Sequence, residues 1–101
     1  MEVIVKEGAR QDLASLEEGL RDRVLDEIEK LEKNATPDNS TFVEVGDMEL
    51  FRLKLQEEDR NSKLTHRVFY QIKDNKVYIR GIFHRHKGYG TETREELEER
   101  I

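Results

Sequence analysis

Hydrophobic residues recur at two different periods, and the change of period divides the chain into a helical first half and a strand-rich second half. Ala9, Leu13 and Leu16 fall at the spacing of one helix face, and a second apolar stripe follows Gly19. The second stripe consists of Leu20, Val24, Ile28 and Leu31. Because glycine readily ends a helix, we predict a first helix over residues 8–18, a break at Gly19 and a second helix, which together form a hairpin with one apolar face.

Strands are predicted wherever β-branched residues cluster or apolar and polar side chains alternate. The predicted strands are residues 3–5, 49–56, 64–73 and 76–84, while residues 42–45 fit either a short strand or an extended loop. The last two strands meet at Asp74–Asn75, a pair suited to a tight hairpin turn. The alternation fails near Gly81, where we expect a β-bulge, so the end of the last strand has no assigned face.

The alternation gives the predicted sheet one apolar face and one cationic face, because successive strand side chains point to opposite sides. Arg52 and Lys54 share the cationic side, and Arg67 joins them from the next strand with Phe69 and Gln71 beside it. The apolar side consists of Phe51, Leu53, Leu55, Val68, Tyr70 and Ile72.

These elements predict an α+β fold in which the N-terminal strand and the helical hairpin pack on one face of a small antiparallel sheet. The cationic face stays open in this prediction. A chain of 101 residues suits one domain, which we assign to residues 1–90. Residues 91–101 are expected to form an acidic helix or tail, either solvated or folded over the cationic face in place of RNA.

The distribution of charge changes the meaning of the net charge of −5. Residues 1–51 hold 6 Lys/Arg and 14 Asp/Glu, whereas residues 52–90 hold 10 Lys/Arg and 4 Asp/Glu, a local charge of +6. Exposed charges are screened beyond about 8–10 Å, so the local field at a docking face governs association. A cationic sheet face is suited to an anion, and RNA is the first candidate.

The residue types also exclude several classes of site. The chain has no cysteine, which excludes a disulfide, a thiolate nucleophile and a cysteine-based zinc site. No metal-ligand pattern stands out, and we expect no cofactor. The first six residues are too short and too acidic for a signal peptide, and no apolar run approaches membrane-spanning length. We therefore expect a cytoplasmic protein with no membrane partner.

Three short segments resemble the RelE/ParE superfamily of bacterial and archaeal toxins. They are residues 51–55, residues 66–70, and His84–Arg85 followed by Tyr89. The order of a strand, two helices and a three-stranded meander is also similar to that superfamily. The resemblance extends over residues 3–90, and it implies the RelE-like fold.

The resemblance implies a toxin that a cognate antitoxin protein neutralises. RelE-type members cleave mRNA in the ribosomal A site, whereas ParE-type members inhibit DNA gyrase without acting as nucleases. We expect a ribosome-dependent mRNA endoribonuclease of a type II toxin–antitoxin module, with the ribosome and mRNA as partners. The alternative is a non-enzymatic ParE-like toxin, or an inactive relative, that binds a protein target. The acidic net charge favours this alternative, and the oligomeric state stays open.

In the reaction that the resemblance implies, a 2′-hydroxyl of the RNA attacks the adjacent phosphate and leaves a 2′,3′-cyclic phosphate and a 5′-hydroxyl. The candidate catalytic residues are Lys54, Arg67, His84, Arg85, His86 and Tyr89. The candidate RNA-binding residues are Arg52, Lys54, Arg67 and Lys87. Arg67 is assigned to stabilise the phosphate, because a guanidinium makes paired hydrogen bonds to phosphate oxygens.

The general base and the general acid are less well defined. Lys54 serves as the base only if neighbouring cations make its ammonium release a proton, and otherwise it is a second phosphate clamp. A histidine titrates nearest neutral pH, so His84 or His86 is the acid by chemistry alone. The resemblance instead favours Arg85 and Tyr89, and both alternatives stay open.

Overall fold

The computed structural model of the protein describes residues 1–55, 66–84 and 91–100, and within them five strands form one sheet. In chain order the strands are β1 (Glu2–Val5), β2 (Ser40–Val45), β3 (Met48–Lys54), β4 (His66–Lys73) and β5 (Lys76–His84). Across the sheet the order is β1-β5-β4-β3-β2; β1 pairs in parallel with β5, and the other pairs are antiparallel. The predicted α+β class is confirmed, and residues 42–45 lie in a strand. The predicted placement of the N-terminal strand on one face of an antiparallel sheet is wrong, because β1 is an edge strand of the sheet and its parallel pairing with β5 makes the sheet mixed.

Tight turns hold the antiparallel strands in register. Between β4 and β5, Asp74 and Asn75 have φ angles of 52° and 60°. Two successive left-handed residues are what a type I′ hairpin turn requires, and Asp and Asn tolerate that conformation. The predicted turn is therefore confirmed. The two-residue turn between β2 and β3 has one left-handed residue, Gly46, with a φ of 64°.

The predicted bulge near Gly81 is also present. The register between β4 and β5 shifts between Phe69 and Tyr70, which leaves Arg80 as the additional residue on β5. As a result, the even-numbered Ile82 lies in the same core as the odd-numbered residues that precede the bulge. Every assignment of a face beyond this point therefore depends on the bulge.

Three helices accompany the sheet in the described ranges: α1 (Glu7–Ala14), α2 (Glu18–Lys30) and α3 (Thr91–Arg100). The first two are separated at residues 15–17, so the predicted break at Gly19 is wrong. The Ser15 hydroxyl donates to the carbonyl of Asp12 at 2.9 Å, and Glu17 is extended with φ −61° and ψ 149°. A serine hydroxyl that bonds to the final carbonyls ends α1, so no left-handed glycine is needed and Gly19 lies in the first turn of α2.

Helices α1 and α2 cover one side of the sheet, which we call the helix face. The predicted apolar side chains of the strands lie here in the main core, and Tyr70 donates from its hydroxyl to the carbonyl of Ala35 at 2.6 Å. The buried members of this core are Ala9, Leu13, Val24, Ile28, Leu31, Leu53, Leu55, Val68, Tyr70, Val77, Ile79 and Ile82. None of the described helices is long and apolar enough to cross a membrane.

The opposite side of the sheet, which we call the α3 face, is only partly open. Helix α3 buries Leu97 completely against Leu50, Phe69 and Phe83, and these four residues form a second core. Phe69, which was predicted to lie on an open face, is 1% exposed. The prediction of an open face is therefore wrong for the half of the α3 face around Phe69. Leu97, in a mostly charged helix, supplies the apolar cover there.

Candidate anion-binding site

Three cations occupy the part of the α3 face where β3 ends and β4 begins. Lys54 and Arg67 are direct cross-strand partners, and Arg52 pairs with the buried Phe69 on the same side. Directly opposed residues have Cβ atoms about 4.5–5.5 Å apart, and diagonal neighbours are roughly 7–8 Å apart. Arg52, Lys54 and Arg67 therefore form one group, which we call the cationic cluster.

Rigid backbone fixes the positions of the cationic cluster. The residues that alternate with it, Leu53 and Val68, are completely buried under the helix layer. Lys54 is exposed, whereas Arg52 and Arg67 are half-buried, so the cluster presents one mobile ammonium beside two partly enclosed guanidinium groups. A site built on packed strands holds its ligands more accurately than a loop does.

Arg67 has hydrogen-bonding capacity that the described residues leave unused. Its Nη1 donates to the carbonyl of the preceding His66 at 3.2 Å. Its Nε is buried and has no acceptor within the described part of the chain. A buried donor without an acceptor costs free energy, and a phosphate oxygen is the kind of acceptor that a guanidinium edge fits. Arg67 is therefore a half-buried arginine whose donors are only partly used by the described residues.

Another arginine on the same face is already engaged. The Nε of Arg80 donates to the Oε1 of Gln71 at 2.8 Å, and its guanidinium lies 5.5 Å from the centre of the Tyr78 ring. These contacts place Arg80 nearer the Asp74–Asn75 turn than the cationic cluster is. It is not part of that cluster.

His66 and His84 lie on the other side of the sheet. They are register partners, and they follow the parity of Val68 and Ile82, which belong to the main core on the helix face. Their ring centres are 5.0 Å apart and their planes are at 81°. Burial, and secondly the charge of His84, lowers the pKa of His66 below its usual value. The structure therefore does not bring His84 together with Arg67.

The acidic helix contributes internal ion pairs beside the second core. Arg94 pairs with Glu98 at 3.1 Å, and Arg100 pairs with Glu96 at 3.1 Å. Among the described residues, no group of three or more His, Asp or Glu is placed to hold a metal ion. The three neighbouring cations of the cationic cluster are suited to the binding and neutralisation of an anion.

Comparison with known proteins identifies the fold. No protein-family model and no curated protein matches the chain. A chain of the archaeal RelE–RelB complex from Pyrococcus horikoshii OT3 is 22% identical, with a TM-score of 0.67 over 86% of this chain and 97% of that chain. The free E. coli toxin RelE, as a double mutant, is 18% identical, with a TM-score of 0.69 over 99% and 96%. The chain has the RelE-like toxin fold.

A third structure agrees with this identification. A chain of the RelBE2 toxin–antitoxin complex from Mycobacterium tuberculosis is 21% identical, with a TM-score of 0.65 over 83% of this chain and 96% of that chain. The resemblance drawn from the sequence is therefore confirmed at the level of the RelE-like fold.

Within this RelE-like fold, several predicted site residues lie outside the described residues. These are Arg85, His86, Lys87 and Tyr89. Sequence reasoning correctly grouped Arg52, Lys54 and Arg67, because parity before the bulge is simple. It missed the pairing of His66 with His84, because equal counting from the β4–β5 turn pairs His66 with Phe83 and the bulge shifts the register by one residue.

Proposed function

We propose that this chain is the toxin of a type II toxin–antitoxin pair and cleaves mRNA on the ribosome. The observation that carries the proposal is the pairing of Lys54 with Arg67 on a RelE-like sheet, with the buried Nε of Arg67 left without a described acceptor. A phosphate of a bound mRNA would accept hydrogen bonds from the guanidinium of Arg67 and the ammonium of Lys54. The similarity to RelE chains in RelE–RelB complexes supports a small antitoxin protein as the partner.

In this proposal the RNA supplies its own nucleophile. A 2′-hydroxyl attacks the adjacent phosphorus, the bond from phosphorus to the 5′-oxygen breaks, and the products carry a 2′,3′-cyclic phosphate and a 5′-hydroxyl. Negative charge builds up on the non-bridging oxygens in the transition state. A guanidinium held by a packed strand stabilises that charge without having to reorganise, so Arg67 is the main catalytic residue.

The other two cations have supporting roles. Lys54, opposite Arg67, takes the proton from the 2′-hydroxyl or holds a second phosphate oxygen. Arg52, diagonal to Arg67, binds the neighbouring phosphate of the chain. The proton that the leaving 5′-oxygen needs comes from the segment after β5, for which Arg85, His86 and Tyr89 are the candidates.

Primer extension on purified ribosomes tests this function. Wild-type protein, Arg67→Ala and Lys73→Ala are each incubated with a programmed ribosome, and the same mRNA is incubated without ribosomes. Lys73 is the matched control, because it is an exposed cation at the far end of the same strand. We expect A-site cuts with wild type and Lys73→Ala, and no cuts with Arg67→Ala or without ribosomes.

Intact mRNA with folded wild-type protein would reject the nuclease. Equal loss in Arg67→Ala and Lys73→Ala would reject a specific role for Arg67 and indicate a general electrostatic effect. Mass spectrometry of the cut ends adds a chemical check, since a 3′-phosphate formed without a cyclic intermediate would contradict attack by the 2′-hydroxyl.

A second candidate is a non-enzymatic, ParE-like toxin that binds a protein target. It is favoured by the acidic net charge of −5 and by the placement of His84 on the helix face, away from Arg67. A gyrase supercoiling assay distinguishes the two, because only this candidate predicts inhibition of supercoiling with mRNA left intact.

A further inference from the structure

A pair of histidines at the end of the β4–β5 hairpin has no part in the proposed RNA chemistry. His66 and His84 are direct register partners on the helix face, whereas the cationic cluster lies on the α3 face. Their ring centres are 5.0 Å apart. His84 is exposed and His66 is half-buried, so the pair can be reached from solvent at the end of the sheet.

The separation of the rings suits a shared metal ion. With metal–nitrogen bonds of about 2.0–2.1 Å and a tetrahedral angle, two imidazole rings on one ion have centres roughly 5 Å apart. In the structure the ring planes are at 81°. Binding of one ion would require the exposed ring of His84 to turn about its side-chain torsions until one nitrogen of each ring points to a common position. The paired strands would keep the Cβ atoms of His66 and His84 at the cross-strand distance during this rotation.

The residues next to the pair on this face are apolar. Val68 and Ile82 are 0% and 4% exposed and belong to the main core. The guanidinium of Arg67 belongs to the opposite face of the sheet, which separates its charge from a bound cation.

We infer that His66 and His84 form a two-histidine binding site for a divalent transition-metal ion such as Zn²⁺, Ni²⁺ or Cu²⁺. Imidazole nitrogen suits these ions. Cu²⁺ binds such ligands more tightly than Ni²⁺ or Zn²⁺ does. Two protein ligands leave the remaining positions for water. The ion would join the end of β4 to the end of β5, directly behind the strand position that carries Arg67.

Calorimetric titration of untagged protein tests this site. The protein must lack a polyhistidine tag and be freed of metal by EDTA and dialysis, and ZnCl₂ and NiCl₂ are then titrated into wild type, His84→Ala, His66→Asn and His86→Ala. His86 is the third histidine of the chain and serves as the matched control. Thermal unfolding with and without the ions gives a second readout, because a ligand that binds the native state raises Tm.

For the wild type we expect one bound ion per chain and a metal-dependent rise in Tm. The affinity of His84→Ala and of His66→Asn for the ion should be at least about tenfold weaker, because the loss of a ligand should cost no less than the loss of an outer-shell partner. His86→Ala should bind like wild type. Wild-type affinity in His84→Ala, loss of binding in His86→Ala, or no binding by the wild-type chain would each overturn the site. His84→Ala stays informative if His66→Asn fails to fold, because His84 is exposed.

Discussion

Two arginines, one on strand β4 and one at the end of helix α3, show opposite uses of a guanidinium. Arg67, in the cationic cluster, donates once to the carbonyl next to it and has a buried Nε with no acceptor among the described residues. Arg100, at the end of α3, donates to Asp12, to Glu96 and to the carbonyl of Arg80. An arginine whose donors are satisfied stabilises the fold, whereas one whose donors are not satisfied is available to a ligand.

The contacts of Arg100 join the two faces of the molecule. It makes a two-pronged bond to Asp12 of α1 at 2.8 and 3.2 Å, and it also donates to the carbonyl of Arg80 at 3.0 Å. Its guanidinium lies 5.1 Å from the centre of the Phe83 ring. Helix α3 is thereby attached to α1 as well as to the sheet.

This arrangement covers a strand edge that would otherwise be bare. The register of β1 with β5 ends at Ile79, so the next backbone groups of β5 have no strand partner on that side within the described part of the chain. The Ile82 N–H donates to the Oδ2 of Asp12 at 2.9 Å, and the Arg80 carbonyl accepts from Arg100. Covering an exposed edge in this way protects it from pairing with another chain.

The largest expected effect is that of replacing Arg67, the arginine that has an unused donor. Arg67→Ala should lower the rate of ribosome-dependent mRNA cleavage about 10²–10³-fold, as the loss of one transition-state donor does. Its free energy of unfolding should change little, because the native state makes poor use of this guanidinium. Single-turnover cleavage and urea unfolding measured on the same preparation check both parts. A large loss of stability would remove the contrast with Arg100.

The reverse pattern is expected for Arg100→Ala. This change leaves the half-buried carboxylate of Asp12 without its partner and detaches the end of α3, and it should cost about 2–4 kcal/mol of unfolding free energy. Urea unfolding of Arg100→Ala, Asp12→Asn and the double variant forms a complete cycle. Additive losses would show that the two side chains do not act as a pair, contrary to their 2.8 Å contact.

Two glycine variants test how closely the chain packs around Arg100. A Cβ at Gly81 would lie 2.7 Å from Nη1 of Arg100 and 2.6 Å from Cε2 of Phe83, so Gly81→Ala should destabilise by about 1–3 kcal/mol. Gly19→Ala is the matched control, since nothing lies within 4 Å of its added methyl and it is helical, and it should stabilise by up to about 1 kcal/mol. Equal Tm shifts in the two variants would contradict the close packing around Arg100.

The cationic cluster was predictable because strand parity is a local property. Arg52, Lys54 and Arg67 all precede the bulge, and simple alternation placed them correctly. The face of His84 was not predictable, since one additional residue at Arg80 reverses the parity of everything after it.

The helices show the same division between local and tertiary causes. The apolar stripes of α1 and α2 were readable, but the break between them depends on a hydrogen bond from Ser15 rather than on Gly19. The burial of Phe69 depends on Leu97, whose helix has a charged sequence and no apolar stripe to announce its packing. The sequence signal for this burial was the presence of two more apolar residues, Leu50 and Phe83, on the face that was predicted to be open.

The smallest expected effect concerns the hydroxyl of Tyr70, a neutral donor that has an acceptor in the native state. Tyr70→Phe removes the 2.6 Å bond to the carbonyl of Ala35 and should cost about 1 kcal/mol of unfolding free energy at neutral pH. Burial raises the pKa of Tyr70 above its usual value of 10.0, so above pH 10 the unfolded chain loses this proton before the native chain does. The wild type should therefore lose stability as the pH rises through this range, and Tyr70→Phe should lose less. Urea unfolding at pH 8 and pH 10.5 measures the difference, and parallel losses would assign the alkaline dependence to other groups.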